Sequence, residues 1–74
     1  MNEMQKEDLY QIQVRLFRLA QIKWQISAPQ CSELFKEYDI YAYISNCYEI
    51  YHAQGDEASL CDIEKYMENL GYKK

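Results

Sequence analysis

Three cysteines (Cys31, Cys47, Cys61), one histidine (His52) and eight tyrosines are the side chains of this 74-residue chain with reactive potential. Three thiols and an imidazole could be counted as zinc ligands, but zinc sites draw their ligands in close pairs from turns or from one helix face. On a single helix over residues 40 to 53, Cys47 and His52 lie roughly 140° apart, too far round to share an ion. The same angle denies Cys47 and His52 the hydrogen-bond reach that a nucleophile and its base require. Cys61 with His52, near Asp56 or Glu57, is the other formal dyad, yet no Gly-rich phosphate loop, nucleophile elbow or H-E-x-x-H pattern supports it. We therefore expect no metal, no cofactor and no enzyme activity, with Cys31 and Cys47 as small core residues and Cys61 as an exposed thiol.

The tyrosines suggest different work. Tyrosine offers a large apolar body with a polar tip, which favours it at interfaces. Tyr41, Ser45, Tyr48 and His52 follow spacings of four, three and four, and so form a ridge on a helix over 40 to 53. Either this ridge flanks the core with its hydroxyls in water, or it binds a partner. In the second reading Tyr41, Tyr48 and His52 act with the acidic neighbours Glu49, Asp56 and Glu57, a surface that suits a basic protein.

Four helices would hold these residues, and no strand is convincing. Over residues 5 to 26, Leu9, Tyr10, Ile12, Leu16, Phe17, Leu19, Ala20, Trp24 and Ile26 fall on one arc of roughly 200°, twice the stripe of an ordinary surface helix. That breadth predicts a central helix that contributes to a dimer as well as to the core. Ser27 with Gln30 reads as a capping box, and Pro29 suits the first turn of a second helix over 28 to 38, with Cys31, Leu34, Phe35 and Tyr38 inward. Asp39 is placed to cap a third helix over 40 to 53, with Ile40, Tyr43, Ile44, Cys47, Ile50 and Tyr51 on its inner face. Gly55 suits the stop, and 56 to 58 reads as a loop. Ser59 then opens a shorter fourth helix, with Leu60, Ile63, Met67 and Leu70 inward and Gly71 ending it.

Composition confines the class further. A chain of 8.9 kDa with 49% apolar residues, two glycines and one proline is a single helical domain over 1–74, neither low-complexity nor disordered. Uncharged stretches such as 24 to 32 are far shorter than the roughly 18 residues of a membrane span, and Glu3, Glu7 and Asp8 are unlike a secretory leader. Three cysteines without a C-x-x-C pair point to free thiols in a reducing, cytoplasmic setting. Charge is uneven: nine acids face only Lys36 and Lys65 between residues 27 and 72, while Lys73 and Lys74 close the chain. Phosphate binding needs clustered Lys and Arg, so direct nucleic-acid contact is not expected of a helix-turn-helix whose second helix carries Glu49.

Ser32 to Tyr38 (SELFKEY), then Ile44, then Tyr48 to Gly55 (YEIYHAQG) and Asp62 to Tyr66 (DIEKY) resemble a bacterial family of short proteins known only as a domain of unknown function. The family pattern runs L-F-x-x-Y, D-Y-I, Y-[DE]-x-[LY]-H-x-Q-G and D-I-x-x-Y, and the likeness covers about residues 27 to 70. Ala42 stands where the pattern has aspartate. The resemblance implies an all-helical fold, no assigned activity or cofactor, and a setting beside toxins that resemble ADP-ribosyltransferases. Its motif positions are Tyr48, His52, Gln54, Gly55, Asp62 and Tyr66. Each also has a structural role open to it: Gly55 as a helix stop, Gln54 and Asp62 as caps around the loop, and His52 as a tie between the third and fourth helices.

The expectation is thus an all-α bundle of three main helices plus a shorter C-terminal one, acting as a non-catalytic protein-binding module, antitoxin-like or inhibitory, that masks a basic partner surface. The alternatives are a structural homodimer through residues 9–26 and a dimeric DNA-binding regulator using Arg15 and Arg18.

Overall fold

The computed structural model describes residues 2–73; Met1 and Lys74, the last of the basic chain end, lie outside the described residues. The described residues form five α-helices: α1 (Glu3–Trp24), α2 (Ala28–Glu37), α3 (Ile40–Asn46), α4 (Tyr48–Gln54) and α5 (Asp56–Asn69). At 1.5 Å per residue a helix of 22 residues is about 33 Å long, so α1 runs almost the full 35 Å of the longest dimension. All four other helices touch it.

Caps explain where the first helices begin. The Asn2 side chain accepts from the Gln5 N–H while Gln5 reaches back to the Asn2 N–H, and Ser27 with Gln30 repeats the arrangement at α2. Each box satisfies amides that a helix start leaves unpaired. α1 ends at Gln25, which takes the left-handed conformation (φ 55°, ψ 49°) while the Ile26 N–H donates to the Gln21 carbonyl. α5 closes in the same way on Gly71 (φ 99°), with the Tyr72 N–H on the Met67 carbonyl.

The expected third helix is two helices. Cys47 (φ −103°, ψ 15°) breaks it, although the Tyr51 N–H still donates to the Cys47 carbonyl across the break. Ile50, expected inward, is 62% exposed, whereas Tyr51 is buried. Asp39 lies at the start of α3 in the left-handed region with no side-chain cap bond, so its expected capping role is not realised.

The expected fourth helix begins three residues earlier than Ser59. Residues 56 to 58 are its first turn rather than a loop, and at 14 residues α5 is the second longest helix, not a minor one. Ser59 is buried and its hydroxyl donates to the Gly55 carbonyl at 2.7 Å, an i to i−4 bond inside the helix. Leu70, expected inward, is 56% exposed because the helix has already ended.

Gly55 alone separates α4 from α5, at φ 89° and ψ 168°, a region essentially reserved for glycine. A Cβ there would meet nothing within 4 Å, so any cost is backbone strain alone. Gly55→Ala is expected to destabilise by about 1–3 kcal/mol. Thermal melting followed by far-UV circular dichroism checks this, with a midpoint lowered by at least about 4 °C.

The core is Ile12, Leu16 and Ala20 of α1 against Cys31, Phe35, Ile40, Ile44, Tyr51, Leu60, Ile63 and Met67. Leu9, Phe17, Leu19, Trp24 and Ile26 pack at its edge, so the chain's own helices cover the wide arc of α1. Tyr10, at 66% exposure, is the member left outside.

Candidate functional site

Two clusters gather the residues singled out by spacing and motif. The first joins α1 to α4. The Tyr48 hydroxyl donates to Asp8 Oδ2 at 2.8 Å, and His52 Nδ1 lies 2.6 Å from the same oxygen. Asp8 is 31% exposed in its side chain and His52 60%, so the contact is partly wet. The Asp8 carboxylate, holding the hydroxyl as its proton donor, pushes the Tyr48 phenol above its ordinary value. His52 therefore ties α4 to α1 and not to α5, contrary to the tie expected across the Gly55 turn.

The second cluster is deeper. Asp62 Oδ2 accepts from Tyr51 at 2.5 Å and from Tyr43 at 3.0 Å, fastening α5 to both α3 and α4. Tyr43 stacks on Tyr66 with centroids 3.8 Å apart, and the Tyr66 hydroxyl donates to the Tyr38 carbonyl at 2.8 Å. Asp62 thus binds side chains rather than capping amides around the loop. Gln54 donates to the Ser59 hydroxyl at 3.3 Å and likewise caps no amide. No buried side-chain nitrogen or oxygen lacks a partner among the described residues.

Burial and the nearby carboxylate raise both phenols, Tyr43 to about 12 and Tyr51 further still. In the unfolded chain they ionise near 10.0, so the unfolded state loses these protons first. Their contribution to stability is whole below about pH 10 and falls as pH rises through the folded values. Absorbance of ionised tyrosine should therefore rise in two steps, the later one coincident with loss of helical circular dichroism. Full ionisation of all eight phenols while the helices persist would contradict this reading.

The ridge expected along one helix is divided. Tyr41 packs its ring against Phe35 at 5.1 Å, and Gln13 donates to both the Tyr41 carbonyl and the Ser45 hydroxyl. Tyr48 and His52, beyond the break at Cys47, belong to the Asp8 contact. Asp56 is held by Arg15 at 3.0 Å, while Glu49 and Glu57 are exposed. Tyr41, Tyr48, His52 and Asp56 are thus each engaged within the chain, and Glu49 and Glu57 remain exposed.

Arg15, named above for the DNA-binding alternative, is engaged in that ion pair. Lys23 and the Trp24 indole both donate to Glu64 at 2.9 Å. The two pairs sit eight residues apart on each helix, so α5 runs in the same direction as α1. Asp8, Gln13 and Glu64 had no local signal, because their partners lie 28 to 44 residues away. Cys31 is buried, with its thiol raised to about 11 by desolvation and its sulfur 3.6 Å from the Phe17 carbonyl. Cys47 is half-buried and Cys61 exposed, and all three are free thiols.

A family model described as a protein of unknown function (DUF3791) matches residues 13–70. The chain belongs to this family. No curated protein and no solved structure is matched. The DUF3791 span contains the whole Asp62 cluster, with Tyr43, Tyr51, Tyr66 and Tyr38. Asp8 lies before it, so the Tyr48 and His52 contact joins a DUF3791 residue pair to the segment that precedes the match. No helix of the described residues is long and apolar enough to cross a membrane.

Proposed function

We propose that this DUF3791 protein is a small acidic, non-catalytic protein-binding module of the bacterial cytoplasm, antitoxin-like or inhibitory, that covers a basic surface on a partner. The observation that carries the reading is how the acids of residues 27 to 72 divide. Asp56, Asp62 and Glu64 are drawn inward by Arg15, by two tyrosines and by Lys23 with Trp24. Glu33, Glu37, Asp39, Glu49, Glu57 and Glu68 are exposed beside only Lys36 and Lys65. Such a surface repels phosphates and steers cationic partners.

The groups with reactive potential support the same reading, because they hold helices together: Tyr51 and Tyr43 on Asp62, His52 and Tyr48 on Asp8. Cys31 is enclosed in the core. The contact face we favour is the outer side of α4. Glu49 and Ile50, the latter 62% exposed, border an open groove of about 420 Å³ that Gln5, Asn46 and Tyr48 also line. An exposed apolar anchor beside a carboxylate suits a partner segment that is both basic and apolar.

The test is co-purification with the products of adjacent genes at low and high salt. A salt-sensitive complex with a basic protein, weakened at least about tenfold by Glu49→Lys with Ile50→Asp, supports the proposal. A complex indifferent to both substitutions removes α4 as the face. Retarded migration of nucleic acid by the purified chain would favour the regulator reading instead.

A further inference from the structure

We infer that the outward face of α1 pairs with α1 of a second copy of this chain, antiparallel about a two-fold axis, with Glu7 of each copy against the partner's Arg18. Of the seven large hydrophobic side chains exposed among the described residues, four lie on α1: Met4 (82%), Tyr10 (66%), Val14 (37%) and Ile22 (74%). At 100° per residue they share, with Glu7, Gln11 and Arg18, a strip about 120° wide. It points away from Ile12, Leu16 and Ala20, which fill the core. The chain's own helices leave this strip uncovered.

The strip is complementary to itself in one orientation. A two-fold axis perpendicular to α1 reverses the chain direction but keeps each edge of the strip on its own side, so positions whose numbers add to about 25 come face to face. Met4 then meets the partner's Ile22 along one edge, and Tyr10 meets the partner's Val14 along the other. Between them Glu7 faces the partner's Arg18, twice by symmetry. Apolar falls on apolar, and acid on base. A parallel pairing would set Glu7 on Glu7 and Arg18 on Arg18, with like charges opposed.

A strip about 33 Å long and about 10 Å wide on each copy buries roughly 660 Å² in all, short of the roughly 1,200 Å² at which stable interfaces begin, so the pairing is a weak, reversible one carried by its charge complementarity. The α4 groove adjoins one that Met4, Glu7 and Gln11 line, but Glu49 and Ile50 lie outside the strip, so the pairing is tested at residues other than those of the partner-masking reading.

Sedimentation equilibrium of the full chain, from low to high micromolar concentration, tests it. A reversible dimer is expected. Glu7→Arg and Arg18→Glu should each raise the dissociation constant at least about tenfold, and the exchanged pair E7R/R18E should restore it. Val14→Asp should leave a folded monomer, with the helical signal retained. A wild-type chain that stays monomeric throughout overturns the proposal. So does a dimer whose affinity neither single variant changes, or one that the exchanged pair fails to recover.

Discussion

Replacing Asp62 by alanine is expected to lower the unfolding free energy by about 2–4 kcal/mol, since two phenols lose a charged acceptor and one has no access to water. Tyr51 is 2% exposed and its hydroxyl donates to Asp62 Oδ2, so in Asp62→Ala that donor stays buried without a partner. Tyr43 is half-buried and can turn part of its loss towards solvent. Urea unfolding followed by circular dichroism measures the effect. The decisive control is Tyr51→Phe in both backgrounds. A coupling of about 1.5–3 kcal/mol is expected, because the phenylalanine removes the donor that the missing carboxylate leaves stranded. Strict additivity would mean that the short contact contributes nothing to stability.

Phe35→Ala should be more severe, at about 3–5 kcal/mol, the usual range for deleting a buried aromatic ring. Phe35 is 1% exposed and stands where three other rings converge: Phe17 at 5.2 Å, Tyr41 at 5.1 Å and Trp24 at 6.4 Å. A domain of this length commands about 4–11 kcal/mol in all, so this one change should leave a large part of the population unfolded at room temperature. Near-ultraviolet circular dichroism, which reports fixed aromatic packing, should collapse. Tyr41→Ala, which removes a partner that is itself 43% exposed, should fall well short of that loss.

These two sites were unequally legible in the amino-acid order. The all-helical class, the central place of α1 and the start of α2 follow from local signals: an apolar arc of 3.6 period and a Ser27 to Gln30 box beside Pro29. The break at Cys47 had no such signal, because apolar positions continue across it at helical spacing and neither glycine nor proline interrupts them. The start of α5 was hidden by Ser59, whose residue type suits a cap while its hydroxyl bonds backward within the helix. Burial of the ring-bearing residues followed from periodicity, but the acids that receive their hydroxyls did not. Asp8 and Asp62 meet their tyrosines through tertiary folding across 40, 19 and 11 residues, and no short window holds both partners.

The order in which the ribosome releases this chain bears on α1. The helix that touches all the others is synthesised before them, and the one that carries Asp62, Ile63 and Met67 follows the other four. Nascent α1 must therefore wait with its greasy side bare until α5 has been made, since a lone helix gains most of its stability from the neighbours it packs against. A premature stop codon ahead of Asp62 would yield no smaller folded unit, only a fragment for chaperones and proteases to clear.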